Sequence, residues 1–259
     1  VDGRQYTLEP DDITVTRPWQ MHRVGNPLVR ASLLHWLIID LGVRRPHQEW
    51  HWPPWLLLSR QDLDELTAFL RQNEQAVWRG TPELRRCWQE IAAAVSDPRA
   101  SSGISRVGVR LNDLFLQLLD LLRRRRVRMD VSLTSSTRTV ALFLEDLRTN
   151  PTHLALPWTV GEMADACGLG VSQFIQHVRR LTTMTPVQYL TRHRMELAER
   201  LLVERRELSV TDVALECGFS SSQYFATVFA RTHKRSPREF RAMRSEVAGG
   251  ETAVALRRT

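Results

Sequence analysis

The sequence has 259 residues with 36 basic and 29 acidic side chains, so it is long enough for two domains and carries a net charge of +7. No apolar run reaches 18 residues, which argues against a membrane-spanning helix, and no secretory signal is visible. The cysteines, Cys87, Cys167 and Cys217, form no CxxC pair, which argues against a disulfide scaffold and predicts small buried thiols. We therefore expect a cytoplasmic protein without a membrane partner.

Short strands are predicted in the first 43 residues. Tyr6–Leu8, Ile13–Thr16 and Ala31–Leu41 are rich in β-branched and apolar residues. The segments Asp11–Asp12 and Gly25–Asn26–Pro27 predict turns between these strands. This part of the chain should therefore be strand-rich.

The segment from Trp50 to Trp55 cannot form a regular helix or a central strand. It contains Pro53 and Pro54, which lack backbone donors and have a fixed φ. We expect a lid or a strap, whose tryptophan rings either line a ligand site or pack on the core.

Helices are predicted from Ser59 to Val127, because apolar residues recur there at three- to four-residue spacing. The last apolar stripe comprises Leu111, Leu114, Leu118 and Leu121. It suits an antiparallel helix pair between two subunits, and it would equally suit packing on its own barrel. Residues 128–136 are polar enough for an interdomain linker, and a helix over residues 136–148 should follow.

One pattern occurs twice in the second half of the chain, at an interval of about fifty residues. The first copy contains Val160, Glu162, Ala164, Cys167, Gly168, Ser172, Gln173, Phe174 and Val178. The second copy contains Val210, Asp212, Ala214, Cys217, Gly218, Ser222, Gln223, Tyr224 and Val228. Each copy is long enough for two short helices and a tight turn. The sequence therefore predicts two helix-turn-helix motifs, at residues 159–181 and 209–232.

Both copies begin with a helix start signal. Thr159 precedes Glu162 by three residues, and Ser209 precedes Asp212 by three, which is the spacing of a capping box. Asp212 has the shorter side chain, so we expect it to close the box less well. The spacing predicts the start of the first helix in each motif.

Glycines predict the turns. Gly168 and Gly218 follow the last apolar residue of each first helix, where a left-handed residue is needed. The second helix of each motif should begin directly afterwards, capped by Gly170 in the first copy and by Ser220 in the second.

The outer face of each second helix is polar and basic. The residues predicted to contact DNA bases are Ser172, Gln173, Gln176, Ser222, Gln223 and Thr227. The residues predicted to contact phosphates are Arg179, Arg180, Arg231, Lys234 and Arg235. Glutamine amides match adenine edges, and arginine matches guanine or phosphate. The alternative is that these side chains only solvate an outer helix face, and their occurrence in two copies favours double-stranded DNA as the partner.

A longer helix should join the two motifs. Thr185 and Pro186 are a cap followed by proline at the first helical position, and helical spacing continues to about Val203. Such a helix is roughly 25 Å long. It would hold the two second helices near one DNA turn apart, about 34 Å.

Residues 135–244 resemble the DNA-binding domain of AraC/XylS-family transcription regulators. The resemblance rests on Ala214, Cys217, Gly218, Phe219, Tyr224, Phe225, Val228, Phe229, Ser236, Pro237, Glu239, Phe240 and Arg241. The family often has Arg where this chain has Gln176 and Thr227, and Gly where it has Thr183, which puts the base contacts in question. The resemblance implies an all-α domain of seven helices, promoter binding, commonly activation, and RNA polymerase as a partner.

The stretch that contains Leu8, Pro10, Asp12, Ile13, Pro18 and His22 resembles the second half of a cupin-like sensor domain. Asp11 departs from the usual Gly, and the first strands of a cupin are not evident, so we expect further strands upstream. The resemblance implies a small-molecule effector, such as a sugar or an aromatic compound. Trp19, His22 and Trp36 are the candidates for its pocket, and too few ligands are present for a metal.

We therefore predict an α+β multidomain protein that is not an enzyme, needs no cofactor and forms a homodimer. Residues 1–127 form a partial cupin-like β-barrel with a helical extension, for effector binding and dimerisation. Residues 128–136 are the linker, residues 137–244 form the all-α double helix-turn-helix domain, and residues 245–259 are a flexible tail. The alternatives are a cupin-type metalloenzyme based on His22 and His35, and a DNA-binding protein that needs no effector.

Overall fold

The computed structural model describes residues 1–25, 29, 31–96 and 103–243. The chain divides between Thr139 and Val140 into two compact units, which we call the N-terminal unit and the C-terminal unit. The predicted tail, residues 245–259, and the predicted turn residues Asn26 and Pro27 lie outside the described residues.

The N-terminal unit is mainly helical. Its elements are β1 (Asp12–Thr14), α1 (Arg60–Arg71), β2 (Val77–Arg79), α2 (Pro82–Ser96), α3 (Gly103–Arg124) and a 3-10 helix (Val131–Thr134). The two strands pair antiparallel, with Ile13 opposite Trp78. α4 (Ser136–Thr149) begins in this unit.

Most of the predicted β-structure is not found in the described residues. Only the prediction for Ile13–Thr16 coincides with a strand, the three-residue β1, whereas Tyr6–Leu8 and Ala31–Leu41 form none. A strand needs a neighbouring strand for its hydrogen bonds and a core over one face. Leu33 and Ile38 are 82% and 90% exposed, and of this apolar segment Ile39 is partly buried against the core, so the core does not cover one face of it as a strand would need. The described residues therefore do not show the predicted cupin-like β-barrel.

Three helices supply the core of the N-terminal unit. Leu66 of α1, Leu84 of α2 and Leu119 of α3 are fully buried together. Burial of a leucine side chain contributes about 1.5–3 kcal/mol. In the predicted leucine stripe of α3, Leu114 and Leu121 are buried and the other two leucines are partly buried against the same core. The stripe therefore packs on other helices of its own unit, and the described residues show no barrel for it to pack on.

The segment between Trp50 and Trp55 forms neither helix nor strand, as its two prolines predict. The Trp52 indole donates a hydrogen bond to the Thr67 hydroxyl (2.7 Å), and its ring meets Phe115 edge-on at 5.6 Å. Trp52 is thus held by the core of the unit, and the segment is a strap across it.

The predicted linker is bound to the N-terminal unit. The Asp130 backbone amide donates to the carbonyl of Gln72 (2.7 Å), and the Asn73 side-chain amide donates to the carbonyl of Arg128 (3.0 Å). The Asp130 carboxylate caps the 3-10 helix by accepting from the Ser132 amide (2.9 Å). These hydrogen bonds attach the linker to the N-terminal unit a few residues before α4 begins.

The C-terminal unit is all-α over the described residues. After α4 its helices are α5 (Pro151–Leu154), α6 (Val160–Ala166), α7 (Val171–Thr182), α8 (Pro186–Glu204), α9 (Val210–Glu216) and α10 (Ser222–His233), and residues 237–243 are also helical. Phe174, Phe225 and Phe229 are fully buried in one continuous core. A single core therefore supports both predicted motifs.

The helix between the two motifs starts as the sequence predicts. The Thr185 hydroxyl accepts from the Gln188 amide (3.3 Å), and the Gln188 side chain accepts from the Thr185 amide (2.8 Å). Pro186 is the first helical residue. α8 has 19 residues, so it is about 28 Å long.

Candidate nucleic-acid interface

The first motif consists of α6, a turn and α7. Its capping box is complete, because the Thr159 hydroxyl accepts from the Glu162 amide (3.2 Å) and the Glu162 carboxylate accepts from the Thr159 amide (2.7 Å). The Glu162 carboxylate accepts hydrogen bonds from the Thr159 backbone amide and hydroxyl, and these two bonds lower the pKa of Glu162 below its usual range. Gly168 has a φ of +63°, the left-handed conformation that the turn requires.

The second motif consists of α9, a turn and α10. The Ser209 hydroxyl accepts from the Asp212 amide (3.1 Å), and the Asp212 carboxylate accepts from the Ser209 amide (2.9 Å). The shorter Asp212 therefore also closes the capping box, and hydrogen bonds from the Ser209 hydroxyl and backbone amide to its carboxylate lower its pKa. Gly218 has a φ of +78° at the turn.

α7 and α10, which we call the recognition helices, have the same construction. Each has 12 residues and is followed by a left-handed residue, Thr183 in the first motif and Lys234 in the second. The prediction of Ser220 as the cap of α10 is wrong, because the Ser221 hydroxyl accepts from the amide of Tyr224 (3.3 Å). Gly170 caps α7 as predicted, without a side-chain bond.

The position of this cap changes the correspondence between the two motifs. The second turn is one residue longer than the first, so equivalent positions of the recognition helices lie 51 residues apart rather than fifty. The buried Phe174 therefore corresponds to the buried Phe225. Gln173 corresponds to Tyr224, and Gln223 corresponds to Ser172 in the first motif.

The predicted base-contacting residues lie on the outer sides of the recognition helices. Five of the six are exposed, and Ser222 at the first position of α10 is half-buried. The Thr227 hydroxyl donates to the carbonyl of Gln223 (3.0 Å), which leaves its lone pairs facing outward. The predicted phosphate-contacting residues are all exposed, at Arg179, Arg180, Arg231, Lys234 and Arg235.

The sequence prediction did not include His177, and its assignment of Tyr224 to the buried inner face of the second helix, with Phe225, Val228 and Phe229, is wrong. His177 lies one turn after Gln173, and its Nδ1 atom is 3.3 Å from the guanidinium of Arg180. Partial burial and the charge of Arg180 lower the pKa of His177, so its ring is neutral near pH 7. Tyr224 is 61% exposed. Helical spacing in the sequence would have placed His177 on the outer face of α7. The correspondence of Tyr224 to Gln173 could be recognised only from the position of the cap of α10 in the structure.

Arg194 of α8 joins the two motifs. Its guanidinium donates to the carbonyls of Leu154 (3.1 Å) and Leu156 (2.6 Å), in the segment that leads into the first motif. The same guanidinium lies 5.7 Å from the ring centre of Phe219, in the turn of the second motif. Burial lowers the pKa of Arg194 from its ordinary value. We call Arg194, Phe219, Gly218 and residues 154–156 the inter-motif junction.

The candidate effector residues lie in the N-terminal unit. The Trp19 indole donates to the carboxylate of Glu74 (3.3 Å), and the His22 ring lies 2.9 Å from the carbonyl of Gln20. Trp36 is 61% exposed. Within the described residues, no hydrogen bond or ring contact joins these three side chains.

The described residues contain no group of three or more His, Cys, Asp or Glu side chains that could hold a metal ion. His35, one of the two histidines on which a metal site would depend, stacks on Trp88 at 5.8 Å. The prediction of buried thiols is confirmed for all three cysteines. Burial raises the pKa of Cys217 to about 12, so this thiol is protonated at neutral pH.

In the part of the chain that the structure describes, every helix is too short or too polar to cross a membrane.

Residues 163–243 match the family profile of a helix-turn-helix domain. The chain is 36% identical over 129 residues to the HTH-type transcriptional activator RhaS of Escherichia coli strain K12, which is 49% of this chain and 44% of RhaS. It thus spans less than half the length of this relative. The name of the relative describes a transcriptional activator and not an enzyme.

Two solved structures are also similar to the C-terminal part. The DNA-binding domain of the transcription factor AdpA in complex with a target DNA is 30% identical, with 42% of this chain and 90% of that chain covered and a TM-score of 0.35. A DNA-binding transcriptional dual regulator from Escherichia coli K-12 is 25% identical, with 42% and 97% covered and a TM-score of 0.35.

Proposed function

We propose that this chain, in which residues 163–243 form a helix-turn-helix domain of the AraC type, is a sequence-specific transcription regulator of the AraC/XylS kind. Each recognition helix enters a major groove of double-stranded DNA, and the two grooves are successive on one face of the duplex. The protein acts at promoters by binding and not by catalysis.

The observation that carries the proposal is the pair of recognition helices on one core. α7 and α10 have the same length and the same left-handed ending, and each buries an aromatic face that includes Phe174 or Phe225. The side chains opposite these buried faces are amides, hydroxyls and guanidinium groups. Donors and acceptors of this kind match the base edges of a major groove.

The charges near these helices favour the DNA backbone. Of the five exposed cations, three lie within the recognition helices (Arg179, Arg180 and Arg231) and two follow α10 directly (Lys234 and Arg235). Residues 151–244 contain 13 basic and 9 acidic side chains. Neutralisation of a phosphate by a cation releases counterions. The logarithm of the binding constant should therefore fall linearly with the logarithm of the salt concentration. The slope of this line, the salt slope, should be about −0.9 for each phosphate contacted.

The first experiment is selection from a random-sequence DNA duplex library, followed by footprinting on the selected duplex. If both motifs bind, the footprint of one monomer covers about 17–20 base pairs, which is nearly two helical turns. A footprint of half that length would contradict the two-groove arrangement. Failure to select any sequence would contradict the proposed function.

Two variants test the assigned face with matched controls. Gln173→Ala should weaken binding to the selected duplex, whereas Gln61→Ala, at an exposed glutamine on α1, should not. Arg179→Ala should weaken binding to all sequences alike and make the salt slope shallower by about one unit. Arg60→Ala is its control, because this side chain is 96% exposed on α1. Equal effects of a variant and its control would contradict the assignment.

We further propose that the N-terminal unit binds a small-molecule effector, a sugar or an aromatic compound. Support comes from the exposed ring of Trp36 and from Trp19 and His22, whose flat rings and polar atoms suit such compounds. The effector must bind two arrangements of the protein with different affinity to change DNA binding. Thermal unfolding with a panel of sugars and aromatic acids tests this. Unchanged unfolding temperatures, together with footprints that need no added compound, would favour a regulator without an effector.

Homodimerisation and contact with RNA polymerase belong to the same proposal. Val95 of α2 and Val109 of α3 are 68% and 63% exposed, so they offer apolar surface for a second copy. Light scattering of the full chain measures the mass directly. Transcription in vitro from the selected duplex, placed upstream of a promoter, shows whether the protein raises or lowers the activity of RNA polymerase.

A further inference from the structure

The second recognition helix has an aromatic side chain where the first has an amide. Gln173 is the third residue of α7, and Tyr224 is the third residue of α10. The residue that follows each of them is a fully buried phenylalanine, Phe174 or Phe225. The two side chains therefore leave equivalent helices at the same position and in the same direction relative to the core.

Tyr224 is exposed, although Phe225, the residue that follows it on α10, is fully buried. Tyr224 is 61% exposed and has one ring contact, at 6.1 Å from Phe219. Tyr224 also borders an open groove of about 520 Å³ between α8 and α10, which Val187 and Arg231 line as well. Contacts within the protein thus bury less than half of the surface of this large side chain.

We propose that Tyr224 is a specificity-determining residue of the second motif and that it contacts the C5-methyl group of a thymine. This inference rests on the proposed function, because it assumes that α10 lies in a major groove. The thymine methyl is the apolar group that base pairs present in the major groove, so an aromatic ring at this position favours thymine. At the equivalent position of the first motif, the Gln173 amide matches an adenine edge instead.

The two half-sites are therefore recognised by different chemistry, although the motifs are repeats. Gln223 lies fifty residues after Gln173 and is paired with it in the sequence repeat. In the structure, Gln223 corresponds instead to Ser172. A glutamine has a longer reach than a serine, so the first turn of α10 can contact one base more than the first turn of α7. The operator should be asymmetric, with a thymine required in the half-site of α10.

The test uses the full chain and a random-sequence DNA duplex library. The parent selects its preferred duplex, and each thymine in the half-site of α10 is then replaced by deoxyuridine, which removes only the methyl group. One such replacement should weaken binding of the parent about fivefold. Tyr224→Ala should bind the unmodified duplex about fivefold more weakly and should no longer distinguish thymine from uracil at that position.

Further variants separate a base contact from a structural role. Tyr224→Phe keeps the ring and should keep the thymine preference, whereas Tyr224→Gln should select adenine at that position, as Gln173 does. Val187→Ala changes the same groove from the side of α8 and should leave the preference intact. Circular dichroism of each variant confirms that α10 is still folded.

The outcomes distinguish this inference from the proposed function. If the parent selects no sequence, both are overturned. If the parent selects two half-sites but Tyr224→Ala retains the full discrimination between thymine and uracil, only the role of Tyr224 is overturned. Loss of discrimination in Val187→Ala would also overturn it, because the groove and not the ring would then set the preference.

Discussion

The carbonyl oxygen of Ala155 lies 2.4 Å from the position that a Cβ atom on Gly218 would occupy. Ala155 lies in the segment that leads into the first motif, and Gly218 forms the turn of the second, so this segment closely approaches the backbone of the second motif. The φ of +78° at Gly218 independently favours glycine. The close approach of the Ala155 carbonyl and the left-handed φ therefore both require glycine at residue 218 of the inter-motif junction.

Gly218→Ala should therefore destabilise the C-terminal unit by about 2–4 kcal/mol, as the sum of left-handed strain and steric overlap with the Ala155 backbone. Urea unfolding of the full chain measures this, with hydrogen exchange to report on residues 140–243 separately. Gly161→Ala is the control, because its Cβ would be 3.8 Å from the nearest atom, the Thr159 hydroxyl oxygen. The control should be neutral or stabilising by up to about 1 kcal/mol. Equal losses in both variants would contradict this account of the junction.

Arg194→Met should lower the free energy of unfolding by about 2–3 kcal/mol, because the carbonyls of Leu154 and Leu156 lose a charged donor. Arg194→Lys should recover less than half of this, since one ammonium cannot reproduce the divergent donors of a guanidinium. Urea unfolding of the full chain measures both losses.

The same substitution at Arg192 is the control for Arg194. Arg192 is on the same helix and pairs with Glu196 at its exposed surface (2.9 Å), so Arg192→Met should cost less than about 1 kcal/mol. A second readout is binding to duplexes in which one additional base pair separates the two half-sites. The parent should bind these poorly, and Arg194→Met should show a smaller penalty because its motifs are held less rigidly. If Arg194→Met shows the same binding penalty as the parent, Arg194 contributes to stability but does not hold the spacing of the two motifs.

Thr183→Gly should stabilise the C-terminal unit by about 0.5–1 kcal/mol. Thr183 follows α7 with a φ of +63°, and a β-branched side chain is strained in this conformation. Lys234, the equivalent residue after α10, has a φ of +58°, so Lys234→Gly should give a similar but smaller gain. Thermal unfolding of the full chain measures both changes.

DNA binding should separate these two glycine variants. Thr183→Gly leaves the charge unchanged and should bind as the parent does. Lys234→Gly removes a predicted phosphate contact, so it should weaken binding to every sequence and make the salt slope shallower by about one unit. Identical salt slopes for the two variants would remove Lys234 from the interface.

Local signals in the sequence predicted the caps, the turns and the connecting helix of the C-terminal unit. Thr159, Ser209 and Thr185 each begin a capping box in the structure, and both turn glycines are left-handed. Each of these features depends on residues within about four positions of one another, which is why the sequence alone could specify them.

Features that depend on distant contacts could not be predicted in this way. Either Ser220 or Ser221 can cap a helix, and the geometry of the turn selects Ser221, which changes the correspondence of Tyr224. Arg194 became identifiable only when the fold placed Leu154 and Phe219 beside it. The apolar segment 31–41 has the composition of a strand, but no described strand pairs with it.

The capping box of the first motif should make stability depend on pH. The hydrogen bonds from Thr159 lower the pKa of Glu162 below its ordinary value of 4.5 in the folded protein. A carboxyl group with a lowered folded pKa contributes stability above its unfolded pKa, and this contribution is lost as the pH falls through the folded pKa. The contribution of Glu162 should therefore be complete at pH 6 and should decrease below about pH 4.5.

Glu162→Gln tests this, because its amide oxygen can still accept from the Thr159 amide but does not titrate. The variant should lose part of the decrease in stability that the parent shows between about pH 5 and pH 3. Thr159→Ala keeps the backbone donor and loses the hydroxyl, so its acid sensitivity should fall between those of the parent and Glu162→Gln. Urea unfolding at a series of pH values measures all three proteins. The same acid sensitivity in all three would mean that the capping box is too exposed for the charge of Glu162 to matter.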